Sequence, residues 1–128
     1  MRSLFLLLFI LFLAFGLSFS VWARTDLSID VTNITFSKAE PLEGETVRVF
    51  ARIFNLGETD VLGYVVFLNN DREMADPQPV SVKAGTYDDV FIDWPVPAGT
   101  FNIEAKIINT NLVDDNPENN IAQKEDYF

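Results

Sequence analysis

The densest group of oxygen-bearing side chains is Asp114-Asp115-Asn116-Pro117-Glu118-Asn119-Asn120, close to the C-terminus. Asp114, Asp115, Asn116 and Glu118 are hard oxygen donors crowded into five residues, the ligand type that Ca²⁺ takes. Their spacing lacks the alternating Asp-x-Asp-x-Asp-Gly register of an EF-hand loop. Turn chemistry uses the same residues: Asp and Asn side chains hydrogen-bond nearby backbone, and Pro117 fixes one φ angle. Asn119 and Asn120 would serve loop backbone groups where the last strand begins. The expectation is no cofactor and no resident metal, with those four residues as the calcium candidates. A second acidic stretch, Asp71-Arg72-Glu73-Met74-Ala75-Asp76, reads as a loop between strands.

Catalytic chemistry is restricted by composition. The chain has no Cys and no His, which excludes Ser-His and Cys-His nucleophile pairs, Cys/His zinc sites and redox dithiols. Carboxylate, Lys, Tyr or Ser chemistry is left. Nothing among 19 Asp and Glu selects a pair for glycoside hydrolysis, and a small domain rarely offers the cleft such a pair needs. The reading is a non-enzyme, with no catalytic residues. Asn33-Ile34-Thr35 is an N-glycosylation sequon, a tripeptide that also arises by chance.

The 128 residues suit one domain, preceded by a targeting segment. Arg2 supplies a minimal positive start, and Leu4 to Leu17 is almost unbroken Leu, Phe and Ile. Val21-Trp22-Ala23 then presents the small or branched residues that a signal peptidase accepts. Residues 1–23 are therefore read as a cleaved signal peptide, with an uncleaved anchor as the alternative, since roughly 20 apolar residues suffice to span a membrane. No cysteine follows the run, so a lipoprotein anchor is excluded. Residues 24–128 hold 8 Lys and Arg against 19 Asp and Glu, a net charge of −11. A surface of that sign repels nucleic acid and anionic headgroups. Contact with a membrane is expected through the N-terminal segment alone, and only if it is retained.

After the signal, period two dominates. Leu27, Ile29 and Val31 alternate with polar residues, and Ile34 and Phe36 continue the same strand. Val47, Val49, Ala51 and Ile53 alternate with Thr46, Arg48, Phe50 and Arg52, stopping at Asn55-Leu56-Gly57. Gly63 to Leu68 and Pro79 to Lys83 follow as shorter strands. Val90, Ile92 and Trp94 alternate with Asp89, Phe91 and Asp93, and Pro95-Val96-Pro97 ends that strand. Phe101, Ile103, Ala105 and Ile107 form the next, and Asn120 to Lys124 the last. Seven short strands with regular turn signals are the signature of an all-β, immunoglobulin-like β-sandwich, a small closed barrel being the alternative. The inward residues, with Val65, Phe67 and Trp94 among them, are the expected core. A ligand-stacking role for Trp94 is the less favoured reading, because it sits in an alternating strand.

Asp26-Leu27, Gly44-Glu45-Thr46-Val47, the Asn55-Leu56-Gly57 turn, Gly85, Gly99 and the closing Pro117-Glu118-Asn119-Asn120 follow one another over residues 26–124. That order of motifs resembles the CARDB family, the cell-adhesion-related domain found in bacteria and archaea. Asn109 stands where members often have Asp, which weakens any acidic site at that point. The archaeal peptidase-helper sandwich domains resemble the pattern too. What the resemblance implies is an immunoglobulin-like module at the cell surface. The functional expectation is an exported interaction module of the adhesion type, secreted or extracytoplasmic, binding a surface protein or polysaccharide. A structural spacer or accessory subunit of a cell-envelope system is the alternative, and a carbohydrate-active enzyme is less favoured. The spacer is disfavoured by the single domain that this sequence contains.

Overall fold

The computed structural model describes residues 23–127, so the signal segment lies outside the described residues except for Ala23. Among the described residues no helix is long and apolar enough to cross a membrane.

Among the described residues, nine strands form two antiparallel sheets. In the first, β3 (Thr46–Asn55) is central. It pairs along one edge with β1 (Leu27–Ser28) and β2 (Ile34–Phe36), and along the other with β7 (Tyr87–Pro95). In the second, β4 (Val61–Asn69) pairs on one edge with β5 (Arg72–Glu73) and β6 (Gln78–Val82). Its other edge pairs with β8 (Phe101–Ile108), which pairs in turn with β9 (Ile121–Tyr127). Two sheets over one core make a sandwich, not a closed barrel.

The alternation read from the sequence sets the core. Burial along β3 alternates over ten residues, with Val47, Val49, Ala51 and Ile53 inside. Val65, Phe67, Val90, Ile92, Trp94, Phe101, Ile103 and Ala105 complete the expected interior. Trp94 is 5% exposed and meets Phe101 edge-on, with ring centroids 5.0 Å apart. That geometry adds about 0.5–1.5 kcal/mol to the area the two rings bury.

The first strand departs from the expected continuous run 27–36. Leu27 pairs with Asn55 and Ile34 with Ala51, so seven steps on one strand face four on the other. The three extra residues form a 3₁₀ turn, Val31–Asn33. A capping box closes it: the Asp30 carboxylate accepts the Thr32 N–H at 2.7 Å, and the Asn33 carboxamide accepts the Asp30 N–H at 2.9 Å. Side-chain bonds of this type compete with a strand ladder. An odd insertion also reverses the side-chain parity. Val31 is consequently 45% exposed, and Ile34 takes the buried place that Val31 was expected to fill.

Other strand ends differ by one to three residues. Gly63 lies inside β4, and the last strand starts at Ile121 and runs on to Tyr127. The stretch Asp71 to Asp76 holds the small hairpin strand β5, with Asn70 and Asp71 in the left-handed region at φ 49° and 66°.

Candidate functional site

Three places gather polar chemistry: the outer face of the first sheet, the loop before β9, and one end of the sandwich.

On the outer face, antiparallel pairing of β3 with β7 sets Arg48 opposite Asp93, Phe50 opposite Phe91, Arg52 opposite Asp89, and Phe54 opposite Tyr87. Both ion pairs are two-pronged. Arg48 Nε and Nη2 lie 2.9 and 3.4 Å from the Asp93 carboxylate, and Arg52 Nε and Nη2 lie 2.8 and 2.9 Å from that of Asp89. The ring pairs stand 5.9 and 5.8 Å apart. Each guanidinium also sits 4.0 Å above a ring one rung away, Arg48 over Phe91 and Arg52 over Tyr87. The result is a ladder of alternating aromatic and ionic rungs. Phe91 and Tyr87 are nonetheless 45% and 53% exposed.

The pairs perturb each other in the usual sense. Hydrogen bonds from the guanidiniums hold the Asp93 and Asp89 carboxyls below the ordinary carboxylate range, and the arginines are raised in return. Beside the Arg52–Asp89 rung is a hollow of about 450 Å³, lined by Thr32, Asn33, Thr35, Phe50, Arg52 and Asp89.

The loop before β9 has another task. The Asp114 carboxylate accepts the Leu27 N–H at 2.9 Å and the Asn116 N–H at 2.8 Å. Asp115 accepts the Thr25 N–H at 2.9 Å, and its own N–H donates to the Thr25 carbonyl at 2.7 Å. Asn119 donates from its carboxamide to the buried Asp26 and accepts the Ile29 N–H on its carbonyl. The loop thus fastens the N-terminal segment to the sandwich. Asn116 precedes a 3₁₀ turn, Pro117–Asn120, without a side-chain cap bond, and Glu118 is exposed within it. The four calcium candidates do not converge: among the described residues no group of three or more acids is placed to hold a metal ion. Asn119 and Asn120 were expected to serve the backbone through their side chains, yet their side-chain oxygens are buried without a partner.

At one end, residues near Trp94, including Asn70, Arg72, Met74 and Pro97, border an open hollow of about 610 Å³. Trp94 shows little of itself there, since it is packed between the sheets.

A family model, CARDB, matches residues 24–124. The chain belongs to the CARDB family. Among solved structures it is similar to the CARDB domain of a Pyrococcus furiosus protein, determined by NMR in solution. That likeness has a TM-score of 0.62 at 20% identity and covers 80% of this chain and 93% of that one. A crystal structure of the same Pyrococcus furiosus domain, in complex with di-metal ions, gives a TM-score of 0.61 at 18% identity, covering 81% and 93%. At that identity the likeness concerns the fold. No curated protein matches the chain.

The Asn55-Leu56-Gly57 turn that carried the CARDB resemblance has a structural cause. Asn55 is 1% exposed, donates to the carbonyls of Thr59 and Val82 at 2.7 and 2.9 Å, and accepts the Gly57 N–H at 2.9 Å. Val82 belongs to β6, so one side chain ties the two sheets together. Gly57 lies against the N-terminal segment; a Cβ there would sit 2.4 Å from the Arg24 carbonyl oxygen. The arginine–aromatic ladder of this CARDB chain is not legible in its sequence, because it exists only through the pairing of β3 with β7. Its signal was the pair of i, i+4 spacings, Arg48/Arg52 and Asp89/Asp93, on the wet faces of two strands whose register was unknown.

Proposed function

We propose that this CARDB chain is an exported, non-catalytic interaction module of the adhesion type, binding a protein or polysaccharide at the cell surface. The observation that carries the reading is the ladder on the outer face of the first sheet. Phe50, Phe54, Tyr87 and Phe91, interleaved with Arg48 and Arg52, offer the residue types that dominate binding hot spots. Large rings left about half exposed at Phe91 and Tyr87 retain area that a partner can cover. Their rotamers are already restrained by stacking, which lowers the entropy cost of association. Export rests on the apolar run Leu4 to Leu17 and the Val21-Trp22-Ala23 end. Asp114 and Asp115 are engaged as acceptors of the Leu27, Asn116 and Thr25 amides, which supports a module that needs no metal at this loop.

The test is binding of the labelled chain to isolated envelopes of its own host. The double variant Tyr87→Ser, Phe91→Ser should lose at least tenfold in apparent affinity while remaining folded by circular dichroism, although losing two ring pairs and two cation–π contacts should lower its stability by about 2–5 kcal/mol. No binding by the unaltered chain would leave a spacer role standing instead. Mass spectrometry of the protein recovered outside the cytoplasm should find Arg24 at its N-terminus; Met1 retained in the membrane fraction would mean an anchor.

A further inference from the structure

We infer that the hollow beside the Arg52–Asp89 rung is a subsite for one uncharged sugar residue of a neutral polysaccharide. This rests on the interaction-module reading and names its ligand class.

A pyranose presents two kinds of surface: vicinal hydroxyls that both donate and accept, and an apolar face of C–H groups. The hollow offers a counterpart to each. Arg52 spends Nε and one hydrogen of Nη2 on Asp89, leaving three of its five N–H donors unused by the pair. Each Asp89 oxygen accepts one hydrogen bond from Arg52 and has lone-pair capacity for another. Donors and acceptors therefore lie side by side in one rigid rung, as a diol requires. Also lining the hollow, Thr35 brings a hydroxyl and Asn33 a carboxamide whose oxygen is already held by the Asp30 N–H, leaving its N–H₂ as donor. Phe50, propped by Phe91 at 5.9 Å, supplies the apolar surface.

Positioning is provided by the fold. Phe50, Arg52 and Asp89 stand on paired strands, and the capping box at Asp30 fixes the turn that carries Thr32 and Asn33. Groups held this way need little reordering on binding. Charge decides between polymer classes. The ladder carries two arginines and two aspartates and is formally neutral, within a chain of net charge −10. A polyanion would be repelled by the rest of the surface, whereas an uncharged polymer meets no such barrier.

The experiment is native electrophoresis of the full-length chain in gels cast with mannan, laminarin or soluble starch, and in a parallel gel with alginate. A zwitterionic detergent replaces alkyl glycosides, whose sugar heads would compete. At least one neutral polysaccharide should retard the chain, and alginate should not. Asp89→Asn and Arg52→Met should each weaken that retardation at least tenfold. Glu45→Gln, which removes an exposed ion pair with Lys38 away from the ladder, should leave it within twofold. Retardation unaffected by Asp89→Asn would overturn the subsite, and so would retardation lost equally in Glu45→Gln. If no neutral polysaccharide retards the chain but envelopes still bind it, the sugar proposal fails and the module reading survives. Loss of that envelope binding after protease treatment would then assign the partner as a protein. Binding to neither would sink both.

Discussion

Replacing Asn55 tests whether one buried carboxamide holds the two sheets and the N-terminal segment in place. Its side chain makes three hydrogen bonds of 2.7–2.9 Å at 1% exposure. Alanine would leave the Gly57 N–H without its acceptor in a buried position and remove a donor from two carbonyls. An orphaned buried group costs about 1–3 kcal/mol. With the space vacated by the carboxamide, Asn55→Ala should destabilise by about 3–4 kcal/mol. That is a large part of the 5–15 kcal/mol or so that typically holds a domain together. For a domain near 100 residues it corresponds to a fall in Tm of roughly 15 °C or more. Asn55→Asp separates bonding from packing. It keeps the shape but turns an oxygen toward the carbonyls of Thr59 and Val82, so it should be no better than alanine. Asn111→Ala, which removes an exposed bond to the Leu62 N–H, is the control and should cost under ~1 kcal/mol. The assay is urea unfolding followed by far-ultraviolet circular dichroism. An Asn55→Asp protein within about 1 kcal/mol of the unaltered chain would refute the reasoning, because hydrogen bonding would then not be what the site supplies.

Trp94→Ala should cost about 3–5 kcal/mol, as large-to-small changes in a packed core do, and in a Trp22→Phe background the remaining indole should emit at short wavelength and resist acrylamide. Readily quenched, red-shifted emission with an unchanged midpoint would put the ring in solvent. Acid should weaken the ladder: Asp89 and Asp93 have lowered folded-state pKa values, so their contribution is present at neutral pH and is lost as pH falls below about 4 toward those values. The stability gap between the unaltered chain and Asp89→Asn, measured by thermal unfolding at successive pH values, should therefore narrow on acidification; a constant gap from pH 7 to 3 would contradict the pairing. Excess EDTA should leave the thermal midpoint unchanged, while a rise of several degrees on adding calcium would show that the native state binds the ion by mass action.

The sequence by itself determined what depends on neighbours along the chain. Side-chain direction reverses at every residue of a strand, so the alternation at Val47–Ile53, Val90–Trp94 and Phe101–Ala105 already assigns the core. Composition likewise excludes His and Cys chemistry without any coordinates. Tertiary structure decided everything that rests on register. Arg48 and Asp93 are 45 positions apart, Arg52 and Asp89 37, and only the pairing of β3 with β7 makes them rungs of one ladder. Asp114 and Asp115 read as metal ligands or turn residues until the fold carried the amides of Leu27 and Thr25 to them, 87 and 90 positions away. The first strand shows both effects at once. Its apolar period continues through Val31, but bonding between Asp30, Thr32 and Asn33 inserts a turn of odd length, and the pairing to β3 then buries Ile34 in its place. A periodic pattern reports which face a residue would take in an unbroken strand. Whether the strand is unbroken is settled by the competition between local side-chain bonds and the ladder of the neighbouring strand.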